Sequence, residues 1–210
     1  MAVTNDRTIP LADADDGTDT PLYRRPALLL AVAAGLCWAS ALGMLLGGLD
    51  QRAPVLSPAR LIFYILVLAA GLLTFVPIQR RLELPGLALE GCGGWFLLAY
   101  VVAFVPPPTE SLLALPDTPV YLILMAALFW SVSAVALPLL YALGRRVFKQ
   151  RARQYDQRRA RRQAHEAGAF VALCVALAGL RALTPLAVVL VILILVVAEL
   201  LLLSFIEARV

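Results

Sequence analysis

The chain is predicted to be an all-α polytopic integral membrane protein with six transmembrane helices and both termini in the cytoplasm. Three observations lead there. The chain is 61% hydrophobic, with mean hydropathy +0.85, whereas soluble domains are nearer roughly 45–50% apolar. The excess is gathered in runs long enough to cross a bilayer, which takes about 20 apolar residues. Nine of the eighteen Lys/Arg residues form one block over residues 145–162, with nearly uncharged sequence on both sides. With the amino terminus inside and six spans, fifteen of those eighteen cations fall on the cytoplasmic side, leaving only Arg52, Arg60 and Arg181 outside. That is the positive-inside pattern.

Residues 1–23 come first. Asp6, Asp13, Asp15, Asp16 and Asp19 stand there against Arg7. Such a segment has too little apolar surface to offset its ordering entropy, so a disordered acidic cytoplasmic tail is expected. Residues 24–210 form the six-helix transmembrane domain, with spans at about 27–49, 61–78, 86–105, 120–143, 167–183 and 186–206. Arg24, Arg25 and the apolar run that follows, up to Ala39-Ser40-Ala41, have the outline of a secretory signal. The run continues to Leu49, however, longer than a signal core, and the span is expected to stay in the mature chain.

The loop after the third span carries Pro106, Pro107, Pro108, Pro116 and Pro119 with Glu110 and Asp117. The prolines prevent helix continuation, and the lack of positive charge suits the outer face. The fifth span is the shortest, with Arg181 placed to snorkel at its outer end. Thr184-Pro185 then reads as an N-cap and first-turn proline opening the sixth span. Pro138 is expected to bend the fourth span.

The basic block, residues 145–166, is expected to be a cytoplasmic helix or loop. It has no Gly or Pro, and Asp156 can meet Arg153 or Arg159 at helical spacing. Its cations are Arg145, Arg146, Lys149, Arg151, Arg153, Arg158, Arg159, Arg161 and Arg162. They set topology and can contact anionic lipid at the cytoplasmic face, at about 1 kcal/mol per charge. No nucleic-acid partner is expected.

The first span carries Ala27, Ala31, Gly35, Ala39, Gly43 and Gly47 at every fourth position. Residues four apart share a helix face, and small residues let helix backbones approach in lipid. The stripe reads either as a docking face for another membrane subunit or a second copy, or as packing within the chain's own bundle. Glu90 and Glu199 are the acidic residues inside spans. At 1.5 Å per residue they lie about 6 Å and about 10 Å from the cytoplasmic ends of their helices. They read either as a polar site for a proton, cation or polar substrate, or as structural groups: clasps to Arg80, Arg81, Arg145 or Arg146, or protonated carboxyls hydrogen-bonded to backbone. Gly91, Gly93 and Gly94 beside Glu90 permit close approach.

Reactive chemistry has little to work with. His165, the single histidine, lies in the basic block, which excludes paired-histidine haem or metal ligation and Ser–His proteolysis within the bilayer. No span contains Asp, and phosphate-loop, dinucleotide and nucleophile-elbow motifs are lacking. Cys37, Cys92 and Cys174 lie in apolar runs without the spacing of a metal site. No cofactor or metal is expected, and a non-enzyme is the leading reading. Seventeen arginines to one lysine suggest a GC-rich bacterial genome, hence a bacterial inner membrane. The expected function is that of an integral membrane accessory or scaffolding subunit acting by helix association. The alternatives are a small transporter module or carrier subunit using Glu90 and Glu199, and a lipid-modifying enzyme at the cytoplasmic interface.

Overall fold

The computed structural model describes residues 26–50, 54–147 and 157–207. Among them are six helices and no strands: α1 Pro26–Leu46, α2 Pro58–Leu82, α3 Leu87–Phe104, α4 Thr118–Val147, α5 Gln157–Gly179 and α6 Pro185–Glu207. By length and composition α1 to α4 can cross a membrane, and α6 contributes the apolar stretch Pro185–Leu201. The acidic tail lies outside the described residues.

The breaks between helices follow from local chemistry. Gly48, at φ 84°, turns the chain out of α1, a left-handed conformation that favours glycine. Ser57 is extended and Pro58 opens α2 at a first-turn position, where a missing N–H costs nothing. The α2–α3 turn bends through two left-handed residues, Glu83 and Gly86. Gln79 Oε1 then accepts from the Ala88 N–H at 2.7 Å, satisfying one of the free donors at the start of α3. Asp117 organises the proline-rich loop: its Oδ2 accepts from the Thr109 and Glu110 N–H groups at 2.8 and 2.6 Å. Thr184 caps α6 as its sequence suggests, its hydroxyl accepting from the Ala187 N–H at 3.1 Å.

Each helix packs on its neighbours in sequence: α1 on α2, α2 on α3, α3 on α4, α4 on α5, with a lighter contact of α5 on α6. Small residues permit the closest approaches. A Cβ on Gly94 would lie 2.7 Å from the Ser131 backbone nitrogen, and one on Gly168 would lie 2.6 Å from the Phe129 carbonyl oxygen. Two cores result. One joins Phe75, Leu87, Leu137 and Tyr141 to Ala160 and Ala164 of α5. The other, toward the opposite end, joins Ala41, Phe63, Val67 and Ala103. Beside it the Arg60 guanidinium lies 4.3 Å from the Phe104 ring centroid.

The ends of the bundle differ in charge. The α2–α3 turn meets the start of α5 through a hydrogen bond from Gln157 Nε2 to the Glu83 carbonyl at 2.9 Å. Arg80, Arg81, Arg145, Arg146, Arg158, Arg159, Arg161 and Arg162 gather at that end, against Arg60 and Arg181 at the other.

The fifth helix differs from expectation. It begins at Gln157, inside the basic block, and runs unbroken to Gly179, so the stretch expected to start near Ala167 is its second half. The reason lies in Ala160, Ala164 and Gly168, all buried. They are spaced by four and give the charged segment a flat face against α4, which binds it to the bundle. Gly179 closes the same helix against the Tyr121 ring, 2.7 Å from where its Cβ would stand.

Candidate functional site: a charged crossing on α5

Successive residues of a helix turn by about 100°, so Ala160, Arg161 and Arg162 face three neighbours in turn. Ala160 and Ala164 are buried on α4. Arg161 and His165, four apart, turn toward α3. Arg162 and Glu166, again four apart, turn toward α6. The charged first half of α5 is thus a three-way junction.

On the α3 flank, Arg161 Nη2 is 3.8 Å from Glu90 Oε1, and His165 Nε2 is 3.9 Å from Glu90 Oε2. Arg161 also donates to the Pro85 carbonyl, and its Nη2 leaves only 3.3 Å for a Cβ at Gly86. Its guanidinium therefore pins the α2–α3 turn as well as Glu90. The His165 ring stacks on Phe129, with 5.7 Å between centroids and 20° between planes. On the α6 flank, Arg162 Nη2 donates to Glu199 Oε1 at 3.2 Å, and Arg162 Nε lies 3.8 Å from Glu166 Oε1. A cleft of about 310 Å³ opens beside this pair, lined by Gln163, Glu166, Ala167, Phe170, Ile192, Leu195, Val196 and Glu199. Three carboxylates thus meet two guanidiniums and one imidazole. The glutamates are about a quarter exposed, between a freely solvated pair worth about 0–1 kcal/mol and a buried one whose disruption costs about 3–5 kcal/mol.

Both glutamates are held by arginines, but not by those expected. Arg80, Arg81, Arg145 and Arg146 are exposed; Arg81, Arg145 and Arg146 line a separate recess. Glu90 and Glu199 pair instead with Arg161 and Arg162, because the second half of the basic block folds onto the bundle as α5. Within the basic block, Arg158 is exposed and Arg159 half-buried, while Lys149, Arg151 and Arg153 lie outside the described residues. His165 and Glu166 join the site without having been anticipated. Their signal was present: each stands four residues after an arginine, beside an Ala-x-x-x-Ala-x-x-x-Gly face.

The small-residue stripe of α1 lies on the outside. Ala31, Gly35, Ala39, Gly43 and Gly47 are all exposed, and nothing within 4 Å would meet a Cβ on Gly35 or Gly43. α1 packs on α2 by another face, through buried Ala34 and Ala41 and a hydrogen bond from Trp38 Nε1 to Thr74 Oγ1 at 3.2 Å. Among the described residues, no other helix of the bundle covers the stripe at Gly35 or Gly43. Of the three glycines near Glu90, Gly91 meets the Phe75 ring and Gly94 meets α4, while Gly93 faces open space.

Among the described residues, no group of three or more His, Cys, Asp or Glu side chains converges as a metal site would require. Cys92 is buried and Cys37 and Cys174 half-buried, all as free thiols. Comparison with known proteins adds no relationship: no family model matches the chain, and neither a curated protein nor a solved structure matches it.

Proposed function

We propose that this chain is an accessory or scaffolding subunit of a bacterial inner membrane, spanning it six times with both termini cytoplasmic, and that it works by helix association through α1. The observation that carries this reading is the exposed stripe Ala31, Gly35, Ala39, Gly43 and Gly47. Small residues along a lipid-facing helix leave a groove that another helix can enter, with van der Waals contact along its length. The clustering of eight described arginines at one end supports the orientation. Anionic lipid at the cytoplasmic face is the expected environment of that end.

The paired glutamates favour this reading over a carrier. A carrier would use Glu90 and Glu199 together in one polar cavity. The cleft that reaches Glu199 is lined by Glu166 and Gln163 and does not include Glu90. Each glutamate instead clamps its own helix, α3 or α6, to α5.

The test is association in mild detergent or in the membrane. Gly35→Leu and Gly43→Leu introduce bulk at positions where a Cβ would meet nothing within 4 Å, so the fold should persist. Loss of a co-purifying subunit, or of a self-association product, is the expected result. Ile65→Phe, on an exposed part of α2, is the control and should leave association intact. An unchanged complex in both stripe variants would remove the proposal.

A further inference from the structure

We propose that the groove between α2 and α4 is a binding seat for an anionic glycerophospholipid. The headgroup phosphate would be held by Arg81, Arg145 and Arg146, and the acyl chains would lie along the apolar recess that begins at Ile78. The inference rests on the membrane reading but not on association through α1.

The seat follows from how the helices are stacked. α2 and α4 both pack on α3, which leaves a groove between them with α3 as its floor. At the charged end this groove opens into a recess of about 600 Å³ lined by Ile78, Arg81, Leu82, Ala142, Arg145 and Arg146. Among the described residues, its lining has three guanidiniums and no carboxylate. Below it lies a recess of about 560 Å³ that shares Ile78 and is lined otherwise by Trp38, Leu42, Thr74, Phe75, Trp95, Val135, Pro138 and Leu139. A further recess of about 460 Å³ shares Trp95, Val135 and Leu139. The volumes thus run on from a basic mouth into an apolar trough.

Both walls change character at the same level. On α4, Val135, Pro138, Leu139, Ala142, Arg145 and Arg146 recur at spacings of three and four, which places them on one face. That face is apolar until Ala142 and basic after it. On α2, Thr74, Phe75 and Ile78 lead to Arg81 and Leu82 along one face in the same way. From Val135 to Arg146 the rise is about 17 Å at 1.5 Å per residue, close to half of a hydrocarbon core about 30 Å thick. Charge and length therefore match one amphiphile in one leaflet. Guanidiniums suit the phosphate because their planar donors can engage two of its oxygens at once, and basic pockets between membrane helices hold acidic lipid headgroups. Arg81 belongs to α2, outside the basic block, so the seat is a composite that a general polybasic attraction would not single out. The chain's own tail is a rival for the arginines, with Asp13, Asp15 and Asp16 after Ile9-Pro10-Leu11, and its deletion is an arm of the test.

The experiment is native mass spectrometry of the full chain in mild detergent with added phosphatidylglycerol, phosphatidylcholine or glycerol phosphate. Wild type should retain phosphatidylglycerol over phosphatidylcholine, and glycerol phosphate should neither bind nor compete. Arg81→Gln, Arg145→Gln and Arg146→Gln should each weaken retention roughly fivefold, as expected for loss of one cation facing an anionic lipid. Arg158→Gln, an exposed change of the same charge outside the recess, should not. Val135→Trp should fill the trough and lower retention with all three arginines intact; circular dichroism shows whether its helices persist. Equal losses for Arg158→Gln and Arg81→Gln would overturn the seat in favour of diffuse attraction. Competition by glycerol phosphate would overturn the lipid as occupant. So would phosphatidylglycerol binding seen only after deletion of residues 2–23, which would make the tail the occupant. Loss of subunit association in the stripe variants bears on none of these readouts.

Discussion

Single residues carry the charged crossing, and Arg162 carries most of one flank. It meets Glu199 at 3.2 Å and Glu166 at 3.8 Å, so its removal leaves two carboxylates facing each other without a cation. Arg162→Gln should cost about 1–3 kcal/mol, between the exposed and buried limits for ion pairs. Arg158→Gln, exposed, should stay within about 0.5 kcal/mol. Thermal unfolding in detergent measures both, and equal losses would show that the crossing is not structural. Glu199→Gln keeps the side-chain volume and a weaker acceptor for Arg162. Under the scaffold reading it should lower protein level and leave any associated activity proportional to that level. A normally accumulating but inactive Glu199→Gln protein would instead point to the carrier.

At the scale of the helix, α1 and α5 carry small-residue faces with opposite fates. The α5 face, Ala160, Ala164 and Gly168, is buried on α4; the α1 face is open. Gly168→Ala would drive a methyl group into the Phe129 carbonyl and the Ser133 hydroxyl. The backbone cannot swing aside as a side chain would, so a loss of about 1–3 kcal/mol is expected, the usual cost of overpacking. Gly35→Ala meets nothing within 4 Å and should be neutral or stabilising by up to about 1 kcal/mol, since alanine favours the helix over glycine. Unfolding midpoints of the two variants decide the matter, and a destabilised Gly35→Ala would place the α1 face inside the bundle.

The whole molecule has a direction. Eight described arginines lie at one end and two at the other. If the crowded end is cytoplasmic, single cysteines in a chain freed of Cys37, Cys92 and Cys174 should label accordingly. Leu56→Cys and Leu115→Cys, both strongly exposed at the sparse end, should react with an impermeant maleimide added outside. Arg158→Cys should react only after the membrane is opened. Labelling of Arg158→Cys in sealed cells would invert the topology, and with it the leaflet in which the α2–α4 groove would find its lipid.

The amino-acid sequence by itself determined the class of the protein, because that depends on local quantities. Apolar run length, helix-breaking prolines and the lopsided distribution of arginine need no knowledge of neighbours. The Thr184-Pro185 start of α6 was legible for the same reason: a cap is a contact between residues three apart. Only the tertiary structure decided which arginines meet the glutamates, which face of α1 stays open, and that the basic block's second half belongs to the bundle. Those outcomes turn on helices far apart in sequence. Periodicity marks a small face on α1 and another on α5, but a small face is defined by what approaches it, and the approach of α4 to Gly168 is not written in either helix alone. The charged block reads as a cytoplasmic helix or loop when its charges alone are counted. It joins the bundle because alanine and glycine can form a contact surface without being large.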